Sequence, residues 1–277
     1  MITLRLHSPL PCPVDVSCLQ PALVGELDLA ALGRMRLRVD GKARPIGELF
    51  ALSGKPEAGR LRISGVTPSL EGLGRDMREG LLLLEGDCGD AVGAGMRGGE
   101  IRLTGNARHR LGAGMRGGLV RVSGSVGDFA GGSLPGAVSG MRGGILLIDG
   151  NAGARLADRL RRGLILVAGD TGPAPASQMI AGTVIILGTP GDSPGSGMRR
   201  GSLLIRTEDC PVPPTFVTTG VHELSFITLL MRHLEILEPR HARALRHFRR
   251  VRRLVGDRGC GGQGEILFPG HMTHVAD

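Results

Sequence analysis

The chain has 277 residues and a formal charge of +8, with 47 glycines, six phenylalanines and neither tryptophan nor tyrosine. Its apolar share is enough for a substantial core, but no run of about 20 apolar residues is present, so a membrane-spanning helix is not expected. The basic excess is almost all arginine, Lys42 and Lys55 being the only lysines, and it points to an acidic partner: nucleic acid, protein surface or cofactor. Without aromatic platforms to stack bases and without a recognisable binding module, nucleic acid is the least favoured of the three.

The opening MITLRLHSPL lacks a signal-peptide pattern. The five cysteines, Cys12, Cys18, Cys88, Cys210 and Cys260, are odd in number and contain no C-x-x-C. A reducing, cytoplasmic setting is therefore expected, with little support for a zinc or iron–sulfur site. In residues 1–70, Ile2–Leu6 and Met35–Val39 alternate apolar with polar residues and read as strands, Pro45–Phe50 reads as a short helix, and Leu61–Gly65 resembles a degenerate repeat. This entry segment is expected to cap one end of a stacked array.

From Met77 onward the chain repeats. An apolar marker recurs at Met77, Met96, Met115, Met141, Leu160, Met179 and Met198, spaced by 19 residues except for one spacing of 26. Three positions after each marker stands a glycine: Gly80, Gly99, Gly118, Gly144, Gly163, Gly182 and Gly201. Positions five and seven on are always apolar, from Leu82/Leu84 to Leu203/Ile205, which is the two-residue period of a strand with one face buried. A second glycine follows nine on in six of the repeats. Ten on comes a short polar residue, Asp87, Asn106, Ser125, Asn151, Asp170 or Thr189, expected to bond its own backbone in a turn.

A fixed short period means stacked units that bury their apolar faces against one another. The predicted fold is mainly β: a single-stranded parallel β-helix of about seven 19-residue coils over 71–209, with an irregular N-terminal cap over 1–70 and a C-terminal helical extension over 210–277. At roughly 4.8 Å per rung such a rod is about 34 Å long.

One position after the marker stand Arg78, Arg97, Arg116, Arg142, Arg161 and Arg199, with Ile180 in the remaining coil. Stacked charges about 4.8 Å apart repel by roughly 1 kcal/mol in water and about 3–4 kcal/mol at an effective dielectric of 20. The column is either a solvated face with acidic neighbours or a docking stripe for a polyanion, and arginine's planar fork suits carboxylates.

Beyond Pro214, Val221–Leu237 reads as a helix with Leu224, Ile227, Leu230 and Leu234 on one face, ended by Pro239. Arg240–Val255 reads as a second, strongly basic helix, and Gly256–Asp277 as a glycine-rich tail that lies on a partner or stays mobile. His271 and His274 form the one close histidine pair, read as part of a polar tail. No H-E-x-x-H, G-x-S-x-G or evident Cys–His pairing is present, so no catalytic residue and no metal ligand is assigned.

The G-x-x-G-x-x-x-G units at Gly86/Gly89/Gly93, Gly124/Gly127/Gly131 and Gly188/Gly191/Gly195, with the G-A-G-M-R-G-G segments at Gly93–Gly99 and Gly112–Gly118, carry a family resemblance. The chain resembles the third, repeat-bearing subunit of the formylmethanofuran dehydrogenase family and the related C-terminal β-helix of the glutamate synthase large subunit. Its length and arginine bias favour the bacterial relative, the repeat-bearing subunit of the formyltransferase/hydrolase complex. The resemblance implies a right-handed β-helix acting as a non-catalytic scaffold. The family's complex moves formyl groups between tetrahydromethanopterin and a methanofuran-type coenzyme and releases formate. The implied partners are a formyltransferase, an amidohydrolase-like hydrolase and a dehydrogenase-B-like subunit, with neither nucleic acid nor membrane. Such coenzymes carry a glutamate-rich tail, which the arginine column is expected to anchor. The corresponding subunit of a formylmethanofuran dehydrogenase and a stand-alone β-helix enzyme such as an acyltransferase are the alternatives.

Overall fold

The computed structural model describes residues 1–207 and 210–270; the expectation for His271 and His274 lies outside them. The N-terminal part runs β1 (Ile2–Leu6), β2 (Val14–Asp15), α1 (Pro21–Glu26), α2 (Leu29–Arg34), β3 (Arg36–Val39), β4 (Lys42–Pro45), α3 (Ile46–Leu49), β5 (Phe50–Ser53), β6 (Arg60–Val66) and β7 (Leu70–Glu71). The repeats supply β8 (Leu81–Gly86), β9 (Glu100–Leu103), β10 (Arg116–Val122), β11 (Arg142–Ile148), β12 (Arg162–Val167), β13 (Thr183–Ile186) and β14 (Ser202–Ile205). The C-terminal part adds β15 (Val217–His222), α4 (Ser225–Leu237), α5 (Pro239–Ala244), β16 (Val251–Gly256) and β17 (Gly264–Pro269).

The molecule is mainly β. Thirteen strands form one sheet in the order β15-β16-β17-β14-β13-β12-β11-β10-β9-β8-β6-β1-β5. From β17 to β1 every neighbouring pair is parallel; β5 at one end and β16–β15 at the other run antiparallel. Across the repeats the register follows the sequence repeat: Leu82 faces Ile101, Ile101 faces Val120, and Leu146 faces Ile165. The rest of each repeat stacks too, through single parallel bridges joining Cys88, Ala107, Val126, Ala152 and Thr171. Main-chain bonds such as Gly95 N–H to the Ala113 carbonyl (2.9 Å) connect the corners.

The strand residues five and seven after each marker are almost wholly buried, and with the markers they line one continuous apolar interior. Tight corners explain the glycines. All seven glycines three after the marker have φ between +82° and +116°, where a side chain is strained. Each of those after the first also lies against the marker of the preceding repeat: Met77 Cε stands 2.6 Å from where a Cβ on Gly99 would sit, and Met96 Cε 2.7 Å from that on Gly118. The two most regular columns of the sequence thus interlock. The short polar column serves a different end from the expected local turn bond. Asp87 Oδ1 accepts from the Asn106 N–H (2.8 Å), Asn106 Oδ1 from Ser125 N–H (2.7 Å), Asn151 Oδ1 from Asp170 N–H (2.9 Å) and Asp170 Oδ1 from Thr189 N–H (2.7 Å). Each side chain ties its own repeat to the next.

The C-terminal part departs from the sequence reading. The predicted first helix starts late, at Ser225, because Val217–His222 pairs with β16 as an edge strand. The predicted second helix is α5, a single 3-10 turn at Leu245–Phe248, and then strand β16. The spacing of Val251 and Leu254 is helix-like, but in a strand three residues place side chains on opposite faces. Here both faces are covered: Val251 packs with the helices, and Leu254 with the repeat interior. The predicted loose tail contains β17, which pairs in parallel with β14 and buries Ile266, Leu267 and Phe268 completely.

Helices α4 and α5 cover the outer face of the later repeats. Leu147, Leu166, Ile185 and Leu204 point outward and form a second apolar cluster with Ile227, Leu234, Leu245 and Phe248. Polar contacts rim this cover: His241 Nε2 lies 2.7 Å from Asp149 Oδ1, and Arg121 joins Glu238 (3.2 Å) to Glu100 (3.1 Å). Burial raises the Glu100 carboxyl, but hydrogen bonds from Arg102 and Arg121 outweigh it and hold the group below its ordinary range. A hydrogen bond from Arg240, opposed by burial, keeps Glu238 low as well.

Both folded values are depressed, so the stabilisation from these groups is full above the unfolded carboxyl range near pH ~4.3 and is lost as pH falls through the folded values. Acidification from about pH 6 to below pH ~4 is expected to lower the amide-exchange protection factors of α4 and α5 before those of the repeat strands. Glu238→Gln should flatten that dependence. Equal acid sensitivity in sheet and helices would contradict it.

Candidate functional site: an arginine-lined corner

The column arginines are stacked by main-chain bonds from each repeat to the marker before it. Arg116 N–H donates to the Met96 carbonyl (2.7 Å), Arg142 N–H to Met115 (2.6 Å), Arg161 N–H to Met141 (2.8 Å) and Arg199 N–H to Met179 (2.8 Å). Arg78, Arg97, Arg116, Arg142, Arg161 and Arg199 are all exposed. Among the described residues none of them forms an ion pair, whereas Arg102 and Arg121 on the strand face pair with Glu100. Among the described residues one side-chain hydrogen bond engages the column, from Arg142 Nε to Ser139 Oγ at 2.9 Å. Among the described residues, no acid therefore relieves the mutual repulsion of the column.

Its later half is the richer part. Arg162 and Arg200, the next residues along, turn two rungs into doublets. With Arg161, Ile180, Ala181 and Arg199 they line a groove of about 380 Å³, and a smaller one of about 210 Å³ lies between Arg142, Arg161 and Arg162. A further groove of about 500 Å³ shares Ile180 and Arg199 and adds Arg159, Gln178, Cys260 and Val138. Val138 belongs to the seven-residue insertion between Met115 and Met141 and is 81% exposed. Among the described residues, no carboxylate lines these three grooves. The doublets are visible in the sequence but fall outside a single-column pattern; the contribution of Arg159 and the insertion needs the stacking. Chemically, the corner offers several guanidinium forks in a row, a site for a chain of carboxylates.

Two buried titratable groups, Cys88 and Asp158, serve the fold. Burial pushes the Cys88 thiol well up, as expected for an inert packed cysteine. Asp158 is buried and holds Ser177 Oγ (2.7 Å) and Arg155 (3.0 Å) beside the insertion. Among the described residues, no hydrogen bond joins His241 to a serine, threonine or cysteine.

Stacked repeats with glycine corners, a methionine-lined interior and one arginine-bearing edge define a glycine-rich repeat protein. A family model described as "GXGXG motif" matches residues 77–222. The chain belongs to that GXGXG-motif family, in the branch that supplies the repeat-bearing subunit of formyltransferase/hydrolase complexes. The solved structure that places it there is a chain of the formyltransferase/hydrolase complex (FhcABCD) from Methylorubrum extorquens, crystallised with methylofuran. It is 36% identical, the match covers 97% of this chain and 100% of that one, and the TM-score is 0.89. A comparison with curated proteins gave no match. No helix among the described residues is long and apolar enough to cross a membrane.

Proposed function

We propose that this chain is a non-catalytic scaffold subunit of a formyltransferase/hydrolase complex, and that its arginine corner anchors the anionic tail of a methanofuran-type coenzyme. The full-length likeness to a chain of such a complex is the observation that carries the first part. The stacked ladder, with its second series of bridges, supports a parallel β-helix as the rigid body, right-handed as the family resemblance implies. In this reading the formyltransferase, the amidohydrolase-like hydrolase and the dehydrogenase-B-like subunit are its partners, the first two carrying the chemistry. The setting is cytoplasmic, in keeping with an odd set of cysteines without C-x-x-C.

The second part rests on arginines without ion pairs and on grooves without carboxylates among the described residues. The residues fit a polyglutamate tail: Arg142, Arg161, Arg162, Arg199 and Arg200 would hold carboxylates, while the furan end stays free to carry the formyl group between sites on other subunits. The test changes Arg161, Arg162, Arg199 and Arg200 to serine in the assembled complex and measures retained coenzyme by mass spectrometry. Hydrogen bonds to charged groups contribute about 1.5–3 kcal/mol each, so retention should fall by roughly tenfold or more with assembly intact. Normal retention would remove the anchoring role.

A further inference from the structure

A second basic feature lies away from the arginine column. Between α4 and the Leu245–Phe248 turn runs an open groove of about 800 Å³. Its floor is apolar, formed by Leu224, Ile227 and Met231, and its far wall carries Arg246 and Arg249. Glu223 also lines the groove, and its carboxylate is engaged by Arg250 at 2.9 Å, whereas Arg246 and Arg249 form no ion pair among the described residues. Residues 223–250 contain six arginines against three glutamates, and Glu223 and Glu238 are already engaged with arginines. On the opposite side of α4 from this floor, Leu229 is 64% and Ile236 84% exposed.

We propose that this groove docks an acidic segment of a partner polypeptide, one apolar side chain entering over Ile227 and Met231 while flanking carboxylates bind Arg246 and Arg249. The charge decides the occupant. A chain with a formal charge of +8 is a poor match for its own basic groove, which disfavours a second copy. Two unpaired guanidinium forks above an apolar floor match carboxylates flanking an apolar anchor, with arginine well suited to the rim of such an interface. The inference rests on the reading of this chain as a subunit of a larger complex.

The experiment co-produces the full chain with the other subunits, with photoreactive p-benzoylphenylalanine at Thr228, an exposed residue lining the groove. After irradiation, the cross-linked peptides are sequenced by mass spectrometry. A carboxylate-rich peptide from another subunit is expected, with its yield reduced roughly tenfold in Arg246→Glu/Arg249→Glu. The two arginines make no hydrogen bond or ion pair to another described side chain, so the thermal melt of that variant should match the parent and separate lost docking from lost folding. A cross-link to a second copy, to a peptide without acids, or with undiminished yield in the charge-reversed variant overturns the docking site while leaving the complex intact. If the unmodified chain does not co-purify with the other subunits, the scaffold reading falls and the docking site with it.

Discussion

Gly99→Ala is expected to lower the melting temperature by roughly 5–15 °C, whereas Gly136→Ala, also at positive φ, should cost much less. At Gly99 two effects add. The backbone sits at φ +82°, where a Cβ costs about 1–2 kcal/mol. The new methyl would also stand 2.6 Å from the Gly80 carbonyl oxygen and 2.8 Å from the Glu79 carbonyl carbon. Both are backbone atoms held in the stack, so relief requires one repeat to move against the next. Overpacking of this kind costs about 1–3 kcal/mol more. Together this is about 2–5 kcal/mol, against a total stability of about 5–15 kcal/mol for an ordinary domain. Each kcal/mol corresponds to about 2–4 °C at this size. Gly136, in the insertion, has φ +76° but nothing within 4 Å of the Cβ position. Thermal melts of both variants, followed by circular dichroism, isolate the close approach. Equal losses would mean that φ alone requires glycine in the column.

Met96→Ala is expected to destabilise by about 2–5 kcal/mol, the usual cost of emptying a large buried site. Met96 is fully buried, and its methyl fills the space over Gly118 in the next repeat. In the parent, a Cβ on Gly118 would meet Met96 Cε at 2.7 Å and the Gly99 carbonyl oxygen at 2.8 Å. Without the methionine one of these collisions disappears. The double variant Met96→Ala/Gly118→Ala should therefore be more stable than the sum of the single losses predicts, by about 0.5–3 kcal/mol. The rescue stays incomplete because the carbonyl and the positive φ remain. Denaturant melts of the four proteins give the coupling, and a coupling of zero would show that marker and glycine act independently.

This interlock explains why the repeat is so legible. Marker, glycine and the two strand positions each answer a constraint that returns with every repeat, so the sequence displays them in phase. A further column is equally visible but gains its meaning only once the helices are in place. Six positions after the marker the residues run Leu83, Arg102, Arg121 and then Leu147, Leu166, Ile185 and Leu204. The change from arginine to aliphatic marks where the outward face passes from solvent and ion pairs to the cover of α4 and α5.

The segments whose structure differs from the sequence reading share a cause. In Val251–Gly256 and Gly264–Pro269 nothing repeats, and the local pattern is ambiguous: Val251 and Leu254, three apart, suit a helix, and a glycine-rich stretch suits a loop. Both are strands because the last repeat leaves an open edge at β14, whose backbone groups need partners. That demand comes from a strand about sixty residues earlier, beyond the reach of any local pattern. The arginine corner divides in the same way. Its period and its preference for carboxylates follow from the order of residues alone. That among the described residues no acid shares the corner, that the insertion and Arg159 extend it, and that Arg246 and Arg249 have no described ion-pair partner beside an apolar floor were decided only by tertiary structure, because electrostatic neighbours are set by distance in space and not along the chain.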